Sequence, residues 1–215
     1  MKTLKRFAVF GLAAIFLLSP LIVRPAAAEA RPALRFEAQE QEPAKENEKL
    51  VEQIRSTYKA AKKTAHRKSF KGKCGNYVGL QLKTLGINTK YIGSNGNRAF
   101  DLYKGKTETS GGYAVTAYPA KQYTLTEALK AIQREDPHAR NILVGFEKGT
   151  SKAGRKYGHV LFIHGIENGM VYFSDSYAQT VDGVKYKEGE PIVCSIETFA
   201  AKYKKYKLDG VIHFG

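Results

Sequence analysis

The sequence predicts an α+β domain, and three observations carry that prediction. Apolar residues recur at helical steps in the first half of the chain. Short β-rich runs separated by turn residues fill the second half. The chain shows no internal repeat, and helices followed by an antiparallel set of strands make the α+β class.

The chain opens with Lys2, Lys5 and Arg6 ahead of an uncharged run from Phe7 to Leu18, then Pro20 and Ala26-Ala27-Ala28. The apolar run is short for a membrane span. Residues 1–28 therefore read as a cleaved secretory signal, with an uncleaved anchor as the alternative. No cysteine lies near the cut, so no lipid anchor is expected, and the expected location is secreted or cell-wall associated. Residues 29–46 are rich in Glu and Gln, contain two prolines, and suit a flexible linker or short propeptide. Residues 47–215 then form the folded domain.

Leu50, Val51, Ile54, Tyr58 and Ala61 predict an amphipathic helix over about 47–64. Cys74, Tyr77, Val78, Gln81, Leu82 and Leu85 predict a second, stopped by Gly86, which puts Cys74 in a helix's first turn. A loop at 93–97 leads to a short helical stretch at 99–103. A strand is expected at 113–118, and a helix from Thr124 to about Arg134. Further strands are expected at 142–146, 159–166, 170–176, 192–196 and 211–214, with a helix at 197–206. Glu167-Asn168-Gly169 marks a hairpin. A three-residue loop makes pairing positions sum to 336 and sets Asp175 opposite Leu161, one diagonal from His159. A two-residue Asn168-Gly169 turn makes the sum 337 and puts Ser174 and Ser176 there instead. The first register is preferred because it groups Leu161, Ile163, Val171 and Phe173 on one apolar face.

The formal charge is +15, and removal of residues 1–28 with Lys2, Lys5, Arg6 and Arg24 leaves +11. Two clusters carry much of it: Lys62, Lys63, Arg67, Lys68, Lys71 and Lys73, and Lys202, Lys204, Lys205 and Lys207 interleaved with Tyr203 and Tyr206. Such patches concentrate anionic partners. Export makes a wall polyanion or anionic membrane surface a better fit than nucleic acid. Once the signal is removed, no stable membrane insertion is expected.

A helix N-terminus favours a thiolate through its unpaired N–H groups and dipole, and Lys71 and Lys73 add positive charge beside Cys74. Gly75 would let substrate approach the backbone. His159 opens a strand that can fix an imidazole in one orientation, and Asp175 stands on the return strand. The competing reading is a disulfide between Cys74 and Cys194, 120 positions apart. No G-x-S-x-G elbow, H-E-x-x-H helix, C-x-x-C pair or P-loop is present, so no metal or cofactor is expected. His159 and His164, five apart on one strand, face opposite sides and cannot share a metal.

The runs KCGNYVGLQLKTLGI and YGHVLFIHGIENGMVYFSDSY resemble the CHAP and NlpC/P60 groups of papain-like peptidases and amidases over roughly residues 72–177. The resemblance implies a papain-like fold with Cys74 as nucleophile, His159 as general base and Asp175 orienting it. It also implies an oxyanion site that uses the Cys74 N–H. Two features depart from the family pattern: the 85 positions between Cys74 and His159, and Lys73 in place of Asp or Gln before the cysteine. The expected function is a secreted cysteine peptidase or amidase acting on peptidoglycan or another peptide. The alternatives are a wall- or partner-binding module with a Cys74–Cys194 disulfide, and a transglutaminase-like acyl transferase.

Overall fold

A computed structural model describes residues 34–92, 108–150 and 156–215. Helix α1 spans Leu34–Thr64 and α2 spans Cys74–Thr84. Strands β1 (Thr109–Ser110) and β2 (Tyr113–Pro119) precede helix α3 (Leu125–Glu135). Then come β3 (Arg140–Thr150), β4 (Lys156–Glu167), β5 (Met170–Ser174), β6 (Gln179–Val181), β7 (Val184–Tyr186) and β8 (Ile192–Ser195). Helix α4 (Ile196–Tyr203) and strand β9 (Leu208–Phe214) follow. Among the described residues seven strands form one antiparallel sheet in the order β1-β2-β9-β3-β4-β5-β8, and β6 and β7 form a separate hairpin. The α+β class holds. The signal at 1–28, the loop at 93–97 and the helical stretch at 99–103 lie outside the described residues.

Helix α1 begins at Leu34 rather than near Asn47, so much of the expected linker is helical. Its Glu, Gln and Ala residues are good helix formers. The helix meets the domain through Leu50 and Ile54, which pack on Tyr172, and through Ala61 beside Phe70 and Tyr77.

The apolar runs in β3 and β4 are continuous because both sheet faces are covered. Ile142, Val144, Leu161, Ile163, Phe173 and Val211 pack under α3 and α4 with Leu129, Ile132 and Phe199. Leu143, Val160, Phe162, Ile212 and Phe214 pack under α2 with Val78 and Leu82. The result is a three-layer arrangement of helix, sheet and helix. Each fully buried Leu, Ile or Phe contributes about 1.5–3 kcal/mol. Helix α3 is fixed by a capping box in which Thr124 and Glu127 satisfy each other's backbone N–H.

The hairpin corrects one expectation. Asn168 (φ 50) and Gly169 (φ 78) form a two-residue turn in which Glu167 pairs with Met170 and Ile166 with Val171. That is the register with sum 337. A β-bulge between Ile163 and Gly165 then inserts His164, after which Ile163 pairs with Phe173 and Phe162 with Ser174, giving 336. The register preferred for the active end of the hairpin is therefore present, but a bulge produces it and not the turn.

The bulge buries His164 edge-on against Phe162, with no hydrogen-bond partner for Nε2 among the described residues. Burial pulls its pKa from 6.5 down to about 4. Below pH 6.5 the unfolded chain takes up a proton that the folded chain refuses, so stability falls as pH drops from 6.5 towards 4. Urea denaturation at pH 5 should show a loss of about 2 kcal/mol from this residue relative to pH 7. His164→Leu should flatten that slope, and an unchanged slope would assign the acid sensitivity to other groups.

Candidate active site

Cys74 is the first residue of α2, after an N-cap, Lys73, whose side chain makes no cap. The first N–H groups of the helix are thus left for other partners. The helix is anchored at its far end: Gly86 (φ 72) donates to the Lys83 carbonyl and Ile87 to the Leu82 carbonyl, a Schellman stop. Val78 and Leu82 seat it on the sheet, and the half-buried thiol is presented at the tip. A methyl at Gly75 would make an ordinary van der Waals contact with Ile92, 3.6 Å away.

His159 sits on β4 opposite Phe146 of β3. Strand alternation turns Gly158 towards the α2 layer. Cys74 Sγ lies 4.0 Å from its carbonyl oxygen. His159 Nε2 lies 3.1 Å from Asp175 Oδ2. The imidazole also interacts with the Cys74 thiol by hydrogen bond and charge.

The electrostatics follow from these contacts. Burial raises the Cys74 thiol, but the hydrogen bond and charge of His159, with the N–H groups of Val160 and Gly75, outweigh it and bring the pKa below 9.0. Burial alone would lower the His159 pKa. Hydrogen bonds to Asp175 and Cys74 and their negative charges prevail, and it rises from 6.5 to about 9. A thiolate–imidazolium pair at neutral pH is the state these shifts favour.

Asp175 is 1% exposed, and its carboxylate is fully engaged. Besides His159 it accepts from Gln179 Nε2 (2.6 Å), the Tyr203 hydroxyl (2.8 Å), the Tyr177 N–H (3.1 Å) and the Ser176 hydroxyl (3.4 Å). The imidazole is walled by rings: Phe146 and Tyr203 stack on it, Tyr206 tilts over it and Tyr177 meets it edge-on. Phe146, Tyr203 and Tyr206 also line a cleft of about 1110 Å³ between α3, α4 and residues 204–209, which neither Cys74 nor His159 lines.

A short bridge ties the two halves of the site together. Glu188 accepts from the Tyr58 hydroxyl (2.9 Å), from Ser69 (2.5 Å) and from the Phe70 N–H, fixing the loop that precedes Cys74. The next residue, Gly189, donates its N–H to the Asp175 carbonyl at 2.8 Å.

All three predicted site residues, Cys74, His159 and Asp175, converge. The disulfide alternative does not hold: Cys74 and Cys194 are both free thiols. Cys194 packs beneath α4, where burial pushes its pKa up to about 12, while Cys74 packs with the α2 layer. Sequence reasoning missed Tyr177, Gln179, Tyr203 and Glu188. Tyr203 and Tyr206 were visible only as punctuation in a basic cluster, and nothing local marks Gln179 or Glu188. A scan against protein-family models, a search of curated proteins and a search of solved structures each returned no match.

Proposed function

We propose that this chain is a papain-like cysteine hydrolase, akin to the CHAP and NlpC/P60 groups, that cleaves a peptide or amide bond. One observation carries the reading: an imidazole held between a helix-tip thiol and a buried carboxylate. The Cys74 thiolate attacks the carbonyl carbon, and the developing oxyanion is met by the Cys74 N–H at the helix start. His159 passes its proton to the departing amine as the C–N bond breaks. It then takes a proton from the water that releases the acyl group from sulfur. Asp175 keeps the ring oriented and offsets its charge.

The export signal expected at residues 1–28 supports an activity outside the membrane, and peptidoglycan stem peptides or cross-bridges are the proposed substrate. Among the described residues no helix is long and apolar enough to cross a membrane. Purified peptidoglycan digested with wild type should release fragments with new amine termini by mass analysis, and Cys74→Ala should release none. Identical profiles would sink the wall-hydrolase reading.

A further inference from the structure

Between Glu52 and Asp101 the chain contains eleven lysines and arginines and no acid. Cys74 lies in the middle of this stretch. Lys63, Arg67, Lys68, Lys71 and Lys73 are exposed, and none has an ion-pair partner among the described residues. Three lysines of the other basic cluster have partners at the surface. There, Lys202 donates to the Thr180 carbonyl, Lys207 pairs with Glu147, and Lys205 lies over the Tyr206 ring. Near the nucleophile Lys62 lies over the Tyr58 ring but the other five cations have no ion-pair partner among the described residues, whereas Lys202, Lys205 and Lys207 near the base are partnered.

The segment that carries them is also held in place. Glu188, the acid that packs on it, turns its carboxylate inwards to Tyr58, Ser69 and Phe70 and leaves the outer surface positive. Gly72 (φ 73) lies beside the Tyr177 hydroxyl, and Tyr177 meets the His159 ring edge-on. The basic turn therefore reaches the catalytic imidazole through one side chain. Lys73 directly precedes Cys74 and Lys71 lies three positions upstream, so a carbonyl delivered to Sγ brings its neighbouring groups under this positive field.

We propose, resting on the cysteine-hydrolase reading, that the site selects peptide substrates with carboxylate groups within about 10 Å of the scissile carbonyl, the range over which unpaired surface cations act at ordinary ionic strength. The residues 63–73 turn is the selecting element. Its field raises the local concentration of acidic substrates and disfavours basic ones.

The test uses the full chain and three thiol-directed peptidyl fluoromethyl ketones that differ only in flanking residues: Glu, Gln or Lys. Labelling of Cys74 is followed by intact mass. The Glu probe is expected to react about three to ten times faster than the Gln probe in low salt, with the Lys probe slowest. Salt at 0.5 M should compress the ratio. Combining Lys63→Gln, Arg67→Gln and Lys68→Gln should bring the Glu/Gln ratio towards one, and the ratio divides out any change in thiol reactivity. Equal rates for the Glu and Gln probes in wild type overturn the charge selection and leave the hydrolase reading standing, as does a ratio that the triple variant leaves intact. Failure of all three probes to label Cys74 overturns the hydrolase reading itself. If the triple variant keeps the ratio but loses retention on anionic phospholipid vesicles, the patch is a lipid contact and the proposal is wrong.

Discussion

His159→Gln is expected to slow alkylation of Cys74 by iodoacetamide near pH 6 by about two orders of magnitude. In wild type the imidazolium overcomes the effect of burial and holds the thiol's pKa below 9.0. Remove it, and burial is the largest remaining influence, so the thiol is protonated at pH 6. The pH profile carries the stronger signature. Wild type should show a reactive plateau that starts at the lowered thiol pKa and changes height near pH 9, where His159 loses its proton. The variant should show one rise, at or above the ordinary thiol range. Asp175→Asn should fall between them: the ring keeps its place through Phe146 and Tyr203 but loses the charge that holds its proton. A wild-type profile with a single rise near pH 9 would remove the ion pair, and the proposed nucleophile with it. Thermal melts of each variant separate loss of reactivity from loss of fold.

The second large effect concerns stability. Gly189→Ala should cost about 3 kcal/mol and lower Tm by about 6–12 °C. Gly189 has φ 73, and a methyl there would fall within the Tyr58 ring. Gly183 makes a useful comparison: its φ is 79, but a methyl there meets nothing within 4 Å. Gly183→Ala should therefore cost only the left-handed conformation, about 1–2 kcal/mol. The difference between the two isolates the collision with Tyr58. If both cost the same, the packing of residues 188–189 against α1 is looser than the contacts imply. Because Gly189 also supports the Asp175 backbone, its variant should slow Cys74 alkylation, and that of Gly183 should not.

What could be read from the chain, and what could not, divides along physical lines. The Cys74 helix was legible because its pattern and its stop are local: six residues at steps of three and four, then a glycine in the left-handed conformation. The pairing of His159 with Asp175 was legible only through two offsetting features. The turn is one residue tighter than expected, and the bulge at His164 restores the missing residue, because Gly165 has no side chain to collide with Arg140 and Leu50. The β6–β7 hairpin was legible in principle. Asp182 (φ 48) and Gly183 (φ 79) between Val181 and Val184 are the same turn signal as Asn168-Gly169. The hydrogen bond from Tyr203 to Asp175 was beyond reach, since it spans 28 positions and depends on how α4 docks. Glu188 was equally hidden, since its partners Tyr58, Ser69 and Phe70 lie 118–130 positions away.

Strand β9 sits between β2 and β3, and among the described residues no other strand joins the β1-β2 edge to the β3-β4-β5-β8 block. It acts as the keystone of an arch assembled from both ends. A growing polypeptide that has not yet produced residues 208–214 lacks the strand that joins the two parts of the sheet, and its α2 lacks the Ile212 and Phe214 that form part of its floor. The floor beneath α2, and with it the full seating of Cys74, is therefore completed only after synthesis has passed this strand.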